Sequence, residues 1–313
     1  MKVMRPAAMQ TMVMQNLLSP PQLTDEQLGL LPTNEDVAFY REHGYYVSKK
    51  IFSDEEIDAA LSGSEAFYNC ELHEPEPHIL EKLDALGWSR PKGEYSGLRK
   101  HDYSSFWRRE LGHLVRHALL GGIAARLTGS PEVRLWHDQL LYKPTDSPDK
   151  KANVGWHTDR GYWKTCSSHN MVTAWIPFHD CTEEMGTITM IDGSLHWPDN
   201  TNKLDFFSND LDGLEKEFVT GGRRVLKVPV NLQKGQVSFH HSLTIHGSGP
   251  NRSNAPRRSI AVHLQDKDNH WQEFRMKQGR LATHANDNLV RQFDGHPDYF
   301  DPDFCPVLWR QQT

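Results

Sequence analysis

Residues 133–143 read VRLWHDQLLYK, and at this segment the sequence changes from a helical to a strand-like pattern. The segment is rich in β-branched and aromatic residues, which favour strands. Six further runs of this kind follow, at 154–159, 171–178, 187–192, 225–230, 236–240 and 258–265. Turn signals rich in Gly, Pro, Asn and Asp separate the runs, and no crossover helices are predicted between them. An antiparallel double sheet is therefore expected.

The order of these elements favours a double-stranded β-helix, a cupin-like jelly roll, with helices packed outside it. A doubly wound α/β fold would alternate strand with helix throughout, and this sequence does not. We therefore expect a mainly β protein with flanking helices.

The first third of the sequence is helical in character. Thr33 and Ser53 each precede acidic residues and an apolar stripe, as at a capped helix start, and Gly44 can end the first helix in the left-handed conformation. A third long helix is predicted over residues 107–127, ending at Gly129. We expect one domain over residues 33–313, with a helical part at 33–130, a jelly-roll core at about 131–268 and a C-terminal tail at 269–313.

Two segments outside this core also carry expectations. Residues 1–32 are expected to form a flexible extension of a cytoplasmic protein, since prolines break any helix there that could cross a bilayer. Residues 198–220 form a long polar insertion between strands, where loops often act as lids or specificity walls. The four cysteines contain no Cys-x-x-Cys pair, so neither a zinc knuckle nor a disulfide scaffold is indicated.

Composition excludes several classes of partner. Acidic residues outnumber Lys and Arg by 41 to 35, so no basic field exists that would bind nucleic acid. The mean hydropathy of -0.67 is too polar for a membrane protein. The 313 residues include 18 histidines, which directs attention to metal binding because imidazole is a common metal ligand.

His157 and Asp159 lie two residues apart in a predicted strand, so strand alternation aims both side chains at one face. His246, 87 residues later, can supply a third ligand. Two imidazoles and one carboxylate form the facial triad that suits non-haem Fe(II), with open positions for a cosubstrate and dioxygen. A His-x-Asp pair alone is weak support for a metal site, because such pairs also arise by coincidence.

A pair of arginines follows the third candidate ligand. Arg257 lies 11 residues after His246, and a guanidinium inside the barrel could hold a dicarboxylate whose other end chelates iron. Strand alternation groups Arg257 with Ser259, Ala261 and His263, but a slip of one residue would exchange it for Arg258. Strand parity alone leaves the choice open.

These features together resemble the phytanoyl-CoA dioxygenase family of Fe(II)- and 2-oxoglutarate-dependent oxygenases. That family has a His-x-Asp, a distal His within a His-Gly-Ser-x-x-Asn stretch (here residues 246–251) and an Arg eleven residues on. The resemblance extends over residues 34–268 and includes segments 39–45, 52–56, 138–144, 186–189, 193–196 and 234–239.

The resemblance implies a set of site residues. His157, Asp159 and His246 would bind iron, and Arg257, rather than Arg258, would pair with the distal carboxylate of 2-oxoglutarate. Residues expected to line the 2-oxoglutarate pocket are Trp175, Ser248 and Gln139. Trp175 fits almost equally well as a core aromatic residue, and Gln139 as a satisfied polar residue of the sheet.

Residues next to the metal motif could contact the primary substrate: Arg160, Tyr162 and Trp163. A surface turn after a strand would have a similar composition, so the alternative is that these residues form an ordinary surface turn. His240, His241 and His263 are interpreted as structural histidines rather than ligands.

The implied function is a dioxygenase, with Fe(II), 2-oxoglutarate and dioxygen as cofactors, that hydroxylates a C–H bond of a small molecule such as a natural product. Halogenating relatives replace the carboxylate at the position of Asp159, so hydroxylation is favoured. The alternatives are a redox-neutral cupin-type metalloenzyme, a hydrolase or isomerase, and a non-catalytic binding module. The sequence does not define the oligomeric state or the substrate.

Overall fold

Two antiparallel sheets form the expected jelly roll in a computed structural model that describes residues 22–91, 97–147, 152–198, 203–219, 223–277 and 279–312. The strands in chain order are β1 Tyr45–Val47, β2 Arg99–Asp102, β3 Glu132–Lys143, β4 Val154–His157, β5 Val172–Pro177, β6 Thr189–Ile191, β7 Lys227–Pro229, β8 Ser238–His241, β9 His246–Ser248, β10 Arg257–Asp266, β11 Gln292–Phe293, β12 His296–Pro297 and β13 Val307–Arg310. The larger sheet has the order β1-β8-β5-β10-β3-β13, with β2 also paired to β3, and the smaller has the order β4-β9-β6-β7.

The helices flank the larger sheet or lie in the connections. They are α1 Asp25–Leu28, α2 Asn34–His43, α3 Asp54–Tyr68, α4 Pro77–Leu86, α5 Arg109–Val115, α6 Ala118–Thr128, α7 Leu211–Phe218 and α8 Ala285–Leu289. Capping boxes at Thr33 and Ser53 open α2 and α3, and Gly44 ends α2 at φ 85°. The sequence predicted each of these three features.

The two faces of the larger sheet have different partners. Leu140, Ile260 and Val262 lie on the outer face and join one large buried cluster with residues of α3, α5 and α6. Leu141 and Ala261, one residue along each strand, belong to a second cluster that fills the space between the sheets. Along β3 and β10, the residues that alternate with those of the outer cluster therefore point into the barrel.

The predicted long helix over residues 107–127 is wrong. The structure has two helices there, α5 and α6, separated at Arg116 and His117. His117 adopts an extended conformation, φ -67° and ψ 128°, and its imidazole accepts a hydrogen bond from the Leu119 N–H. The histidine thus acts as a helix N-cap. The apolar residues keep a helical spacing across this break, so the sequence pattern did not reveal it.

Three other segments contain regular structure that the sequence did not predict. The described part of the N-terminal extension contains α1, and Leu23 and Leu31 pack against the core; residues 1–21 lie outside the described residues. The 198–220 insertion contains α7. The C-terminal tail contributes β13, which pairs with β3. Within the described residues, no helix combines the length and apolar character needed to cross a bilayer.

Candidate metal centre

His157, Asp159 and His246 converge between the two sheets, and one ligand atom from each lies within 4.8 Å of the others. His157 ends β4 and pairs with His246, the first residue of β9. Both His Nε2 atoms lie 3.8 Å from Asp159 Oδ1. The strand predicted over 154–159 ends at His157, so Asp159 reaches the site from the 3₁₀ turn Asp159–Gly161. The two-residue spacing still brings the carboxylate to the imidazoles.

Both imidazoles are oriented for coordination. His157 Nδ1 lies 2.8 Å from the Gly155 carbonyl and His246 Nδ1 lies 3.0 Å from the Thr244 carbonyl. A carbonyl only accepts, so each Nδ1 carries the proton and each Nε2 keeps a lone pair toward Asp159. Burial lowers the pKa of both imidazoles. They are therefore neutral near pH 7, as metal ligands must be.

The carboxylate of Asp159 divides its two oxygens between the candidate site and the sheet. Oδ1 faces the imidazoles, while Oδ2 accepts hydrogen bonds from Thr173 Oγ1 and from His240 Nε2 at 3.2 Å. Burial alone would raise the pKa of Asp159, but the neighbouring His246 and the hydrogen bond from His240 hold it well below its usual range. Two neutral nitrogens and one anionic oxygen, all buried, fit a divalent transition metal such as Fe(II).

The hydroxyl of Thr173 fixes the orientation of this carboxylate, so it is expected to affect metal affinity. Outer partners of metal ligands typically contribute roughly 10- to 100-fold in affinity. We expect Thr173→Val to weaken Fe(II) binding about 10-fold and Thr173→Ser, which keeps the hydroxyl, to bind nearly as wild type. Anaerobic Fe(II) titration against a competing chelator measures both, and equal loss in the two variants would contradict this role.

A row of polar side chains crosses the inner face of the larger sheet beside Asp159. The strand register places His137 of β3 opposite His263 of β10, His263 opposite Thr173 of β5, and Thr173 opposite His240 of β8. All four are buried. The sequence interpretation treated His240 and His263 as structural and missed this row. The sequence did contain a signal for His263, because strand alternation places it on the same face of the strand as Arg257.

Arg257 and Lys143 are paired across β10 and β3 and are both buried inside the barrel. The Arg257 guanidinium lies over the Trp175 ring at 5.2 Å, donates to the Gly186 carbonyl and leaves Nε without a partner. No carboxylate of the described residues lies within 4.0 Å of either cation. Burial lowers the pKa of Arg257 to about 10 and that of Lys143 well below its usual range. A buried guanidinium beside a buried lysine, with no acid in contact with either, fits an anionic ligand, whose charge would also favour the protonated form of the lysine.

Ser248 connects these cations to the metal centre. Lys143 Nζ donates to Ser248 Oγ at 2.6 Å and to the carbonyls of Ser248 and Gly249. Because the ammonium is only a donor, the Ser248 hydroxyl keeps its own proton for another acceptor. Side chains around this space include Gln139, Trp175, Ser248, Arg257 and the three candidate ligands. The structure therefore brings together the residues that the sequence predicted around a dicarboxylate.

Lys143→Met is expected to separate ligand binding from folding. Removing one buried cation beside another should leave the melting temperature unchanged or higher without ligand, because unpaired buried charges destabilise. The same change should raise the 2-oxoglutarate concentration for half-saturation about 10-fold, because the hydrogen bond that orients the Ser248 hydroxyl beside the cosubstrate space is lost. Thermal unfolding and 2-oxoglutarate titration measure the two effects. A lower melting temperature with unchanged 2-oxoglutarate binding would assign Lys143 a purely structural role.

A second space, a cavity of about 290 Å³, is lined by His157 and Asp159 but not by His246. Tyr162 and Trp163 line it, as predicted for substrate contacts, together with Gln139. Arg160 does not: its guanidinium donates to the carbonyls of Trp163 and Cys166 within its own turn. The prediction that Arg160 contacts substrate therefore finds no support, because those carbonyls hold the side chain away from the cavity.

Within the described part of the 198–220 insertion, Phe206 and Phe207 line this cavity. The Phe206 ring packs edge-on against His157 at 4.9 Å, and the Phe206 N–H donates to Tyr162 Oη at 2.8 Å. The Gly155 N–H of β4 donates to the Phe206 carbonyl at 2.9 Å. A Cβ on Gly155 would lie 2.0 Å from the Asp205 carbonyl oxygen, so only glycine permits this approach. The insertion thus forms one wall of the site.

Comparisons with known proteins agree with this arrangement. The family model described as phytanoyl-CoA dioxygenase (PhyH) matches residues 40–259. The peroxisomal phytanoyl-CoA dioxygenase of Bos taurus is 25% identical over 240 residues, which cover 76% of this chain and 69% of that protein.

Solved structures share the fold. The alpha ketoglutarate dependent carbocyclase SnoK from nogalamycin biosynthesis superposes with a TM-score of 0.63 at 22% identity, over 88% of this chain and 96% of that one. The epimerase SnoN, in complex with Fe3+, alpha ketoglutarate and nogalamycin RO, gives a TM-score of 0.62 at 21% identity, over 88% of this chain and 98% of that one. Both likenesses confirm the jelly-roll architecture.

Proposed function

The chain belongs to the phytanoyl-CoA dioxygenase family of Fe(II)- and 2-oxoglutarate-dependent oxygenases, and from this premise we propose that it hydroxylates a C–H bond of a small natural product or its precursor. Succinate and carbon dioxide are the co-products. The observation that carries this proposal is the convergence of His157, Asp159 and His246 within 4.8 Å. The nogalamycin derivative in the SnoN complex supports a natural-product substrate.

The proposed roles follow the chemistry of each group. His157, Asp159 and His246 hold Fe(II), and Arg257, with Lys143 behind Ser248, binds the distal carboxylate of 2-oxoglutarate. Trp175 and Gln139 line the space for the cosubstrate chain. When bound, the iron and 2-oxoglutarate supply the oxygen-activating redox chemistry. The residues of this chain orient the reactants and exclude water.

Two further observations support hydroxylation. Asp159 is present and directs Oδ1 toward the imidazoles, so the carboxylate position that halogenating relatives leave open is filled here. The substrate cavity adjoins His157 and Asp159 directly, and Phe206 shields His157 from the insertion side. A redox-neutral hydrolase would have no use for two buried cations paired across β3 and β10.

Oxygen-dependent turnover tests the proposed function. Protein with Fe(II), 2-oxoglutarate and a panel of small natural products is expected to release succinate faster with a true substrate than without one. The product should gain one oxygen atom derived from labelled dioxygen, which mass spectrometry detects. If Fe(II) and 2-oxoglutarate bind but no compound accelerates succinate release or gains oxygen, the hydroxylase proposal fails for this class of substrate.

A further inference from the structure

The row of polar side chains beside Asp159 has one end at the metal centre and the other at the substrate cavity. Thr173 lines only the cosubstrate space and His137 only the 290 Å³ cavity, while Asp159 and His263 line both. His263 Nδ1 lies 2.7 Å from Thr173 Oγ1, which in turn contacts Asp159 Oδ2. A chain of two hydrogen bonds therefore joins the cavity wall to the carboxylate.

The number of available protons determines which group donates and which accepts in each hydrogen bond of this chain. An ionised carboxylate only accepts hydrogen bonds, so the single hydroxyl proton of Thr173 is donated to Asp159. Thr173 Oγ1 must then accept a hydrogen bond from His263 Nδ1–H. A neutral imidazole has one N–H, and burial favours the neutral form, so His263 Nε2 carries a lone pair.

This lone pair has no partner. His263 is buried, and its Nε2 has no hydrogen-bonding atom within reach among the described residues. The neighbouring His137 ring, 4.4 Å away between centroids, is also buried with both nitrogens unpaired. Buried polar groups in proteins are nearly always paired, so unpaired nitrogens on two residues that line a cavity point to a polar ligand group there.

The remaining cavity wall consists mainly of aromatic rings and uncharged polar side chains, among them Gln139, Thr283 and His284. Tyr103, Tyr162, Trp163 and Phe206 contribute rings. Lys100 lines the cavity, but its Nζ is held at 2.8 Å by Asp102, so the pair compensates its own charge. Such a cavity favours a compact, uncharged and partly aromatic or apolar molecule.

We propose that His263 Nε2 accepts a hydrogen bond from a hydroxyl or N–H group of the substrate, with His137 beside it. The substrate class is then an uncharged small molecule that carries a hydrogen-bond donor near the carbon to be oxidised. The inference rests on the proposed function for the identity of the ligand as substrate, but the state of His263 is measurable without turnover.

The first test is the tautomer of His263. In protein loaded with diamagnetic Zn(II) and 2-oxoglutarate, ¹⁵N-histidine NMR should show His263 protonated at Nδ1 and unprotonated at Nε2. The signal is assigned by its loss in His263→Asn, whose amide can still donate to Thr173 from the position of Nδ1. An Nε2-protonated His263 would overturn the proposal.

The second test uses phenol and anisole as probes, since anisole keeps the ring and the oxygen of phenol but replaces the O–H donor with a methyl ether. Phenol should shift the His263 Nε2 resonance and bind about 5-fold or more tightly than anisole, as one lost hydrogen bond predicts. In His263→Asn, the ratio should fall to about one. A preserved ratio, or no phenol shift in wild type, contradicts the donor contact. Loss of Zn(II) or 2-oxoglutarate binding would instead count against the proposed function.

Discussion

His246→Ala is expected to abolish stoichiometric Fe(II) binding and to lower 2-oxoglutarate turnover by more than about 100-fold, since even outer partners of ligands contribute roughly 10- to 100-fold. His246 supplies one of two Nε2 atoms that face Asp159 Oδ1 at 3.8 Å. Without it, one imidazole and one carboxylate remain, too few for a stable site on a buried wall. Anaerobic titration with Fe(II) measures the loss directly.

A matched control separates ligand loss from a general effect of removing histidine. His270 is exposed, its ring lies 5.0 Å from that of Phe300, and it lines neither space beside the candidate ligands, so His270→Ala should keep wild-type Fe(II) binding. Thermal unfolding checks that both variants remain folded. Full Fe(II) affinity in a folded His246→Ala variant would contradict the assignment of this residue.

Arg257→Met is expected to raise the 2-oxoglutarate concentration for half-saturation by roughly 30-fold to more than 1,000-fold. Losing one partner of a buried charge pair costs about 2–5 kcal/mol, and each 1.4 kcal/mol is about tenfold. Fe(II) binding should persist, because Arg257 is not among the residues that converge at the candidate metal site. Anaerobic 2-oxoglutarate titration of the Fe(II)-loaded variant measures the change.

The adjacent arginine provides the control. Arg258 lies on the outer face of β10, where its guanidinium packs over the rings of Tyr142 and Tyr68. Arg258→Met removes the same charge one residue away and should leave 2-oxoglutarate binding within about twofold of wild type, since it touches no part of the pocket. If both variants weakened binding equally, a general electrostatic effect would replace the proposed carboxylate contact.

Much of the fold follows from local sequence rules. The β-branched and aromatic residues of 133–143 and 258–265 predicted strands, and β3 and β10 lie there. The caps at Thr33 and Ser53 depend on a few neighbouring side chains, so sequence alone identified them. Parity left Arg257 and Arg258 interchangeable; the family resemblance implied Arg257, and the register with β3 places Arg257 inside.

The remaining features depend on long-range pairing that local patterns do not encode. The break at His117 depends on one side-chain contact to the Leu119 N–H, which an apolar period does not reveal. His240, Thr173 and His263 meet because three separate strands align in register. The convergence on Asp159 Oδ2 is therefore a tertiary property, and sequence reasoning missed it.

The central claim is that one buried site binds Fe(II) through His157, Asp159 and His246 and chelates 2-oxoglutarate beside it. Anaerobic addition of 2-oxoglutarate to Fe(II)-loaded wild-type protein tests this claim most directly. The account predicts a weak visible charge-transfer band that saturates at stoichiometric 2-oxoglutarate, as expected for a keto acid chelated to Fe(II). Stoichiometric iron without this band would contradict the oxygenase assignment and favour a redox-neutral metalloenzyme.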